Sequence, residues 1–183
     1  MQNIQRVSSL FRLLFQTVFV AMAVLSLIAW LNVPEPLHFL GQNTDFVFSV
    51  IPRHLPILQP LQPMQHFYCF LLGLIPLGIH LGMIYYLIQL FSLYEEGKIF
   101  FMANVVATRR IGWLLVIQQI VNPIYEAVVT PLLTWYNPVG ERVISADFSN
   151  GNVGLLLMGA MIILVSWIMA EGCKLREEHD LTV

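Results

Sequence analysis

The chain has 183 residues, of which 57% are hydrophobic and only 11% charged. A soluble domain carries about 25% charge, and one domain of this length has too little interior to hide so much apolar surface, which excludes a soluble globular enzyme. Nine Lys and Arg against eleven Asp and Glu leave no basic field for direct nucleic-acid binding, and two cysteines make no disulfide framework.

What remains is an all-α membrane protein, a single domain over 1–183 whose first partner is the lipid bilayer. A bilayer core takes about 20 residues of helix. Four stretches are long and apolar enough: 13–33, 67–90, 111–133 and 153–170. None alternates as a barrel strand would, and inside hydrocarbon the backbone must satisfy its own hydrogen bonds, so all four are read as helices.

The first stretch follows Arg6 and Arg12 and ends in Trp30-Leu31-Asn32-Val33-Pro34. It is longer than the apolar part of a signal peptide and has no small-x-small cleavage site, so it reads as an uncleaved anchor. The loop 34–66 holds Pro34, Pro36, Pro52, Pro56, Pro60 and Pro63, a spacing that forbids a long helix. Within it, 45–51 is aromatic and β-branched and reads as a short strand.

The second stretch contains Pro76, His80 and the pair Gly78 and Gly82. Small residues four apart let helix backbones approach closely. Gly97 then closes the helix or its turn. In the loop 91–110, Ile99, Met102, Ala103 and Val106 recur at helical spacing. They predict an amphipathic segment lying on the membrane surface, with Arg109 and Arg110 among anionic headgroups.

The third stretch carries Gln118, Gln119, Asn122 and Glu126. At 100° per residue they fall within a sector of about 100°. Polar groups at that depth normally face the bundle interior, so Gln118, Asn122 and Glu126 form a candidate intramembrane polar site. His80 lies at similar depth on the second helix and is the fourth member, within reach of Glu126 if the two helices face each other. Pro123 removes the usual donor to the Gln119 carbonyl and favours a kink. A freed carbonyl beside amides and a carboxyl can hold a water, a proton or a small cation. The plainer reading is polar glue between helices.

In the loop 134–152, Asn137-Pro138-Val139-Gly140 signals a turn, and 142–148 alternates. Pairing of 142–148 with 45–51 would give a small two-stranded cap outside the membrane. After the fourth stretch, the tail 171–183 is expected to extend the helix at least to Glu178, with Glu177 and Glu178 in its acidic cluster.

Orientation follows from basic residues in the flanks. Arg6, Arg12, Lys98, Arg109, Arg110, Lys174 and Arg176 share one side, against Arg53 and Arg142 on the other. Both termini are therefore expected in the cytoplasm, with Trp30 and Trp135 near the outer interface and Trp113 and Trp167 near the inner one.

Chemistry finds little support. A haem between helices usually takes two histidines at matching depth, and only His80 lies in a span. His38, His54 and His66 have no zinc spacing. Cys69 and Cys173 fall on opposite membrane faces. No phosphate loop, HExxH or GxSxG is present. We therefore expect no cofactor, no metal and no enzymatic activity.

Two segments carry a family resemblance. Tyr94-x-x-Gly97-x-x-Phe100-x-x-x-Asn104-Val105, followed by Arg109-Arg110-Ile111-Gly112, and the closing Leu175-Arg176-Glu177-Glu178-x-Asp180-Leu181-Thr182-Val183 resemble a bacterial family of small four-helix membrane proteins known only as a domain of unknown function. The resemblance implies a bacterial cytoplasmic (inner) membrane protein. It also implies gene neighbours that encode small helix-turn-helix regulators, and hence a cytoplasmic DNA-binding protein as partner. On this basis Phe100, Asn104, Arg109, Arg110, Glu177 and Glu178 are the candidate partner-binding residues. The expected function is a non-enzymatic membrane regulator or sensor. The alternative is a small transport or permeability protein with its polar path around Glu126. The small-residue face leaves a homodimer open.

Overall fold

The computed structural model describes residues 2–31, 62–98, 101–138, 140–146 and 150–181, and they form four helices. These are α1 (Gln2–Leu31), α2 (Pro63–Glu95), α3 (Met102–Leu133) and α4 (Asn150–Leu181). Each contains a window apolar enough to cross a membrane. At 1.5 Å per residue the 33 residues of α2 span about 50 Å, well beyond the ~30 Å of a bilayer core. Every helix therefore runs past the apolar run that marks it in the sequence, because leaving hydrocarbon removes the need for apolar side chains without breaking the backbone ladder.

Neighbours in sequence are neighbours in space: α1 packs on α2, α2 on α3 and α3 on α4. The packing is antiparallel. Arg12, early in α1, pairs with Glu95 at the end of α2 at 2.8 Å. Gln65, at the start of α2, donates to the carbonyls of Leu132 and Leu133 at the end of α3. Arg109, early in α3, reaches Ser166 in the second half of α4. The beginning of α1, the turn after α2 and the end of α4 thus share one end of the bundle, called here the termini end.

The outward faces are apolar. Leu10, Val20, Phe67, Ile124, Met161 and Ile168 are each more than half exposed, a surface that belongs in lipid. The apolar core lies between α1, α2 and α3, where Met22, Cys69, Leu77, Tyr125, Val129 and Leu133 form one cluster. Nearer the termini end, Phe11 stacks on Phe91 at 5.2 Å between centroids and Phe15 lies 5.5 Å from the same ring. These contacts clamp α1 to α2.

Between α3 and α4 the contact is backbone on backbone. A Cβ at Gly112 would lie 2.7 Å from Ile163 Cγ1 and 3.0 Å from the Gly159 carbonyl oxygen. One at Gly159 would lie 2.9 Å from Val116 Cγ2 and 3.1 Å from the Gly112 oxygen. The glycine pair expected to make a close approach does not make it. Gly78 faces open space, and Gly82 meets only the tip of Leu114 at 3.4 Å. The spacing on α2 is right, but nothing on a neighbouring helix is shaped to meet it.

The surface segment expected before the third span is not a separate element. From Met102 it is the first turns of α3, continuous with the span. The reason is burial: Asn104, Val105, Ala107 and Ile111 all face the bundle, so the segment packs on protein instead of lying on lipid. The helical tail is found, and runs to Leu181.

The outer cap also differs from expectation. The turn is present, closed by Glu141 N–H to the Pro138 carbonyl at 3.0 Å with Gly140 at φ 105, a conformation that favours glycine. Residues 141–146 follow without helix or strand, and there is no strand among the described residues. The proposed partner, 45–51, lies outside them. The backbone N–H groups of Val143 and Ser145 donate instead to Thr134 Oγ1 at 3.1 Å and Thr130 Oγ1 at 3.0 Å. Two fully buried hydroxyls at the end of α3 take those donors, where a β ladder was expected to.

Candidate functional site

The third helix, packed between α2 and α4, carries Gln118, Asn122 and Glu126 of the polar site and Asn104, Arg109 and Arg110 of the candidate partner residues, while His80 lies on α2 and Glu177 and Glu178 on α4. Its polar stripe does face inward: Gln118 and Gln119 are 2% and 6% exposed. Asn122 and Glu126 are half-buried. Gln118 Nε2 donates to Asn122 Oδ1 at 2.5 Å, one turn away on the same helix. That bond satisfies one side chain with the other inside α3. The side-chain oxygens of Gln118 and Gln119 are buried without a hydrogen-bond partner among the described residues. The helix also continues through Pro123, which supplies no N–H to the Gln119 carbonyl. The stripe is therefore rich in acceptors.

His80 is tied to its own helix. Its Nδ1 lies 2.8 Å from the Pro76 carbonyl oxygen. A carbonyl only accepts, so Nδ1 carries the proton in this contact. This bond turns one ring nitrogen back along α2. Glu126 follows the core residue Tyr125 on α3 and is itself half-buried.

At the termini end the candidate partner residues separate into two kinds. Asn104 is completely buried, and its side-chain amide donates to the Lys98 carbonyl. It fastens the turn between α2 and α3 from inside and offers nothing to a partner's surface. The turn is built by the sequence around it. Gly97, at φ 75, follows the last residues of α2, with its N–H bonded to the Tyr94 carbonyl at 3.1 Å and that of Lys98 to the Leu93 carbonyl at 2.9 Å. These are the two bonds of a glycine-stopped helix end.

Arg109 and Arg110 lie on adjacent positions and so reach opposite neighbours. Arg109 Nε donates to Ser166 Oγ on α4 at 3.4 Å. Arg110 donates to Tyr86 Oη on α2 at 2.9 Å, with its guanidinium 5.1 Å above that ring. Arg110 and Glu178 remain exposed. Phe100 and the side chain of Glu177 lie outside the described residues. At the same end lie Phe101, which the sequence reading did not single out, and Met102 and Val106, which it placed in a surface segment. Phe101 and Met102 are 47% and 43% exposed, Val106 is 41% exposed, and the Arg176 guanidinium lies 5.9 Å from the Phe101 ring.

Several structural residues also escaped the sequence reading. Gln65 bridges helices, accepting from the Gln62 N–H at 3.3 Å while donating to the end of α3. Ser166, fully buried on α4, receives Arg109 and donates to the Ile163 carbonyl at 2.6 Å. Thr130 and Thr134, four apart at the end of α3, could have been read as hydroxyls aimed at one place. Nothing in the sequence distinguishes Gly159 from the other glycines of α4.

These features place the chain in a class: a multi-pass membrane protein of four antiparallel helices. A family model described as a protein of unknown function, DUF2975, matches residues 17–183, and the chain belongs to that family. No curated protein matches, and no solved structure matches.

Proposed function

We propose that this protein is a non-enzymatic membrane regulator or sensor that docks a cytoplasmic protein at its termini end. The observation that carries the reading is the exposed apolar patch of Phe101, Met102 and Val106. It lies at the end of α3 that runs beyond the apolar span, with the Arg176 guanidinium 5.9 Å from the Phe101 ring and Arg110 one helical turn after Val106. An exposed apolar patch bordered by arginines is what a protein interface presents. The excess of Lys and Arg at this end supports a cytoplasmic orientation for both termini, in a bacterial inner membrane. A small DNA-binding regulator is the first partner to seek, on the strength of the family resemblance.

The test is photo-crosslinking in the native host, with the crosslinker at Phe101, Val106 and Glu178. A cytoplasmic protein captured at these positions, and not at Ile144 on the opposite end, supports the reading. Lipid or self-adducts alone at all three positions overturn it.

A second reading, a small transport or permeability protein, rests on the acceptor-rich stripe of Gln118, Gln119 and Asn122 beside Glu126. Under that reading Glu126→Gln abolishes a flux measured in proteoliposomes, and changes at Phe101 or Val106 leave it intact. If Glu126→Gln alters thermal stability alone, the stripe is packing.

A further inference from the structure

A second feature of the termini end lies between α1 and α2, away from the patch on α3. Arg12 and Gln16 lie four apart on α1, and Tyr85, Gln89 and Ser92 lie at positions i, i+4 and i+7 on α2. Each set therefore forms one stripe of its helix. The two stripes face each other across a groove of about 270 Å³. Gln16, Tyr85 and Gln89 are exposed in it. At its mouth Arg12 meets Glu95 at 2.8 Å, with their side chains 37% and 31% exposed. The stacked rings of Phe11, Phe15 and Phe91 hold the two walls together.

Depth defines what this groove can hold. Glu95 is the last residue of α2. Ser92 and Gln89 lie about 5 and 9 Å deeper along the axis. A leaflet changes over that distance from headgroup through glycerol ester to the first methylenes. Polar side chains left exposed there need polar partners, since acyl chains supply none. A phospholipid supplies them in matching order. Its phosphate meets the Arg12 guanidinium, and its ester carbonyls meet the Ser92 hydroxyl and the Gln16 and Gln89 amides. Glu95 decides the headgroup. Because the carboxylate neutralises the guanidinium, the site carries no excess positive charge and does not favour an anionic lipid. A headgroup with its own cation satisfies both members of the pair. A primary ammonium donates hydrogen bonds to a carboxylate, which a trimethylated amine cannot do.

We propose that this groove is a seat for one phospholipid with a primary-amine headgroup, phosphate on Arg12 and ammonium on Glu95. The seat is independent of the docking surface on α3 and α4, so either assignment can fail alone.

The test uses the full chain in nanodiscs of phosphatidylcholine doped with phosphatidylethanolamine or phosphatidylglycerol. Native mass spectrometry then identifies the lipid that stays bound. The expected result is one retained phosphatidylethanolamine, preferred at least fivefold over each competitor. Glu95→Gln should erase the preference over phosphatidylcholine, and Gln16→Leu should lower retention of every lipid without changing the order. Circular dichroism checks that each variant is helical. Should Glu95→Gln fail to fold, the competition on the unaltered chain and the Gln16→Leu variant still decide. Equal retention of the three lipids overturns the proposal. So does a preference for phosphatidylglycerol, which would reflect only the general basic character of this end. A dimer that dissociates on Gln16→Leu would show that a second copy fills the groove, and would overturn it as well.

Discussion

Two pairs of glycines in this protein show how differently the same residue is used. Gly78 and Gly82 sit four apart on one helix, and neither touches a neighbouring backbone. Gly112 and Gly159 sit on different helices, with no pattern linking them in the sequence, and they mark a close crossing of α3 and α4. Spacing along a helix defines which face a pair shares. A close approach needs a matching absence of side chain on the opposite helix, and only three-dimensional packing provides it. The α3–α4 crossing also sets the height at which Arg109 finds Ser166 on α4.

The largest effect should come from filling this crossing. A Cβ at either glycine meets backbone atoms as well as side chains, so the helices must separate. Overpacking of this kind costs about 1–3 kcal/mol per methyl. Gly112→Ala and Gly159→Ala should each lower the thermal midpoint in detergent by several degrees. The pair of substitutions should fall short of additivity, because one separation of the helices relieves both clashes. A midpoint unchanged by either variant would mean that the crossing is looser than the distances imply.

A smaller loss is expected at Asn104. Asn104→Ala removes the amide that holds the Lys98 carbonyl and leaves a small cavity, for about 1–3 kcal/mol. The change should be local. Limited proteolysis should speed at the 96–101 turn, while the α3–α4 contact, read by a cysteine pair flanking Gly112 and Gly159, should remain. This variant also separates structure from recognition at the termini end. If Asn104→Ala lowers stability and crosslinking at Val106 persists, Asn104 is a fastener and the patch is the surface.

How far the sequence could be read follows from the same distinction. The four spans were legible because the bilayer imposes a length and an apolar composition that no packing can override. The inward stripe of Gln118, Asn122 and Glu126 was legible because polar side chains on lipid-facing sides are costly. The stop at Gly97 was legible because few other residues accept its φ. The contacts inside the termini end were not legible in this way. Asn104 and Arg109 look like surface groups in a basic loop, yet they serve the turn and α4, because the loop is shorter than its composition suggests and α3 begins inside it. In the described half of the cap the reason is related. An alternating segment needs partners for its backbone donors, but Thr130 and Thr134 meet that need as well as a strand does, and side-chain donors and acceptors leave no periodic trace.

The smallest effect lies at the other glycine pair, and it runs in the opposite direction. Gly78 lies inside α2 with nothing within 4 Å of where its Cβ would be. Glycine inside a helix is less favourable than alanine by about 0.5–1 kcal/mol, because it has more backbone freedom to lose. Gly78→Ala should therefore raise the thermal midpoint of the monomer slightly, while the equivalent change one helix away at Gly112 lowers it. The sign of the Gly78 change also reports on assembly. If a second copy packs against this face, the added methyl weakens that contact, and the gain becomes a loss that grows with protein concentration. A rise independent of concentration assigns the Gly78 face to lipid, and leaves Gly112 and Gly159 as the pair whose missing side chains hold helices together.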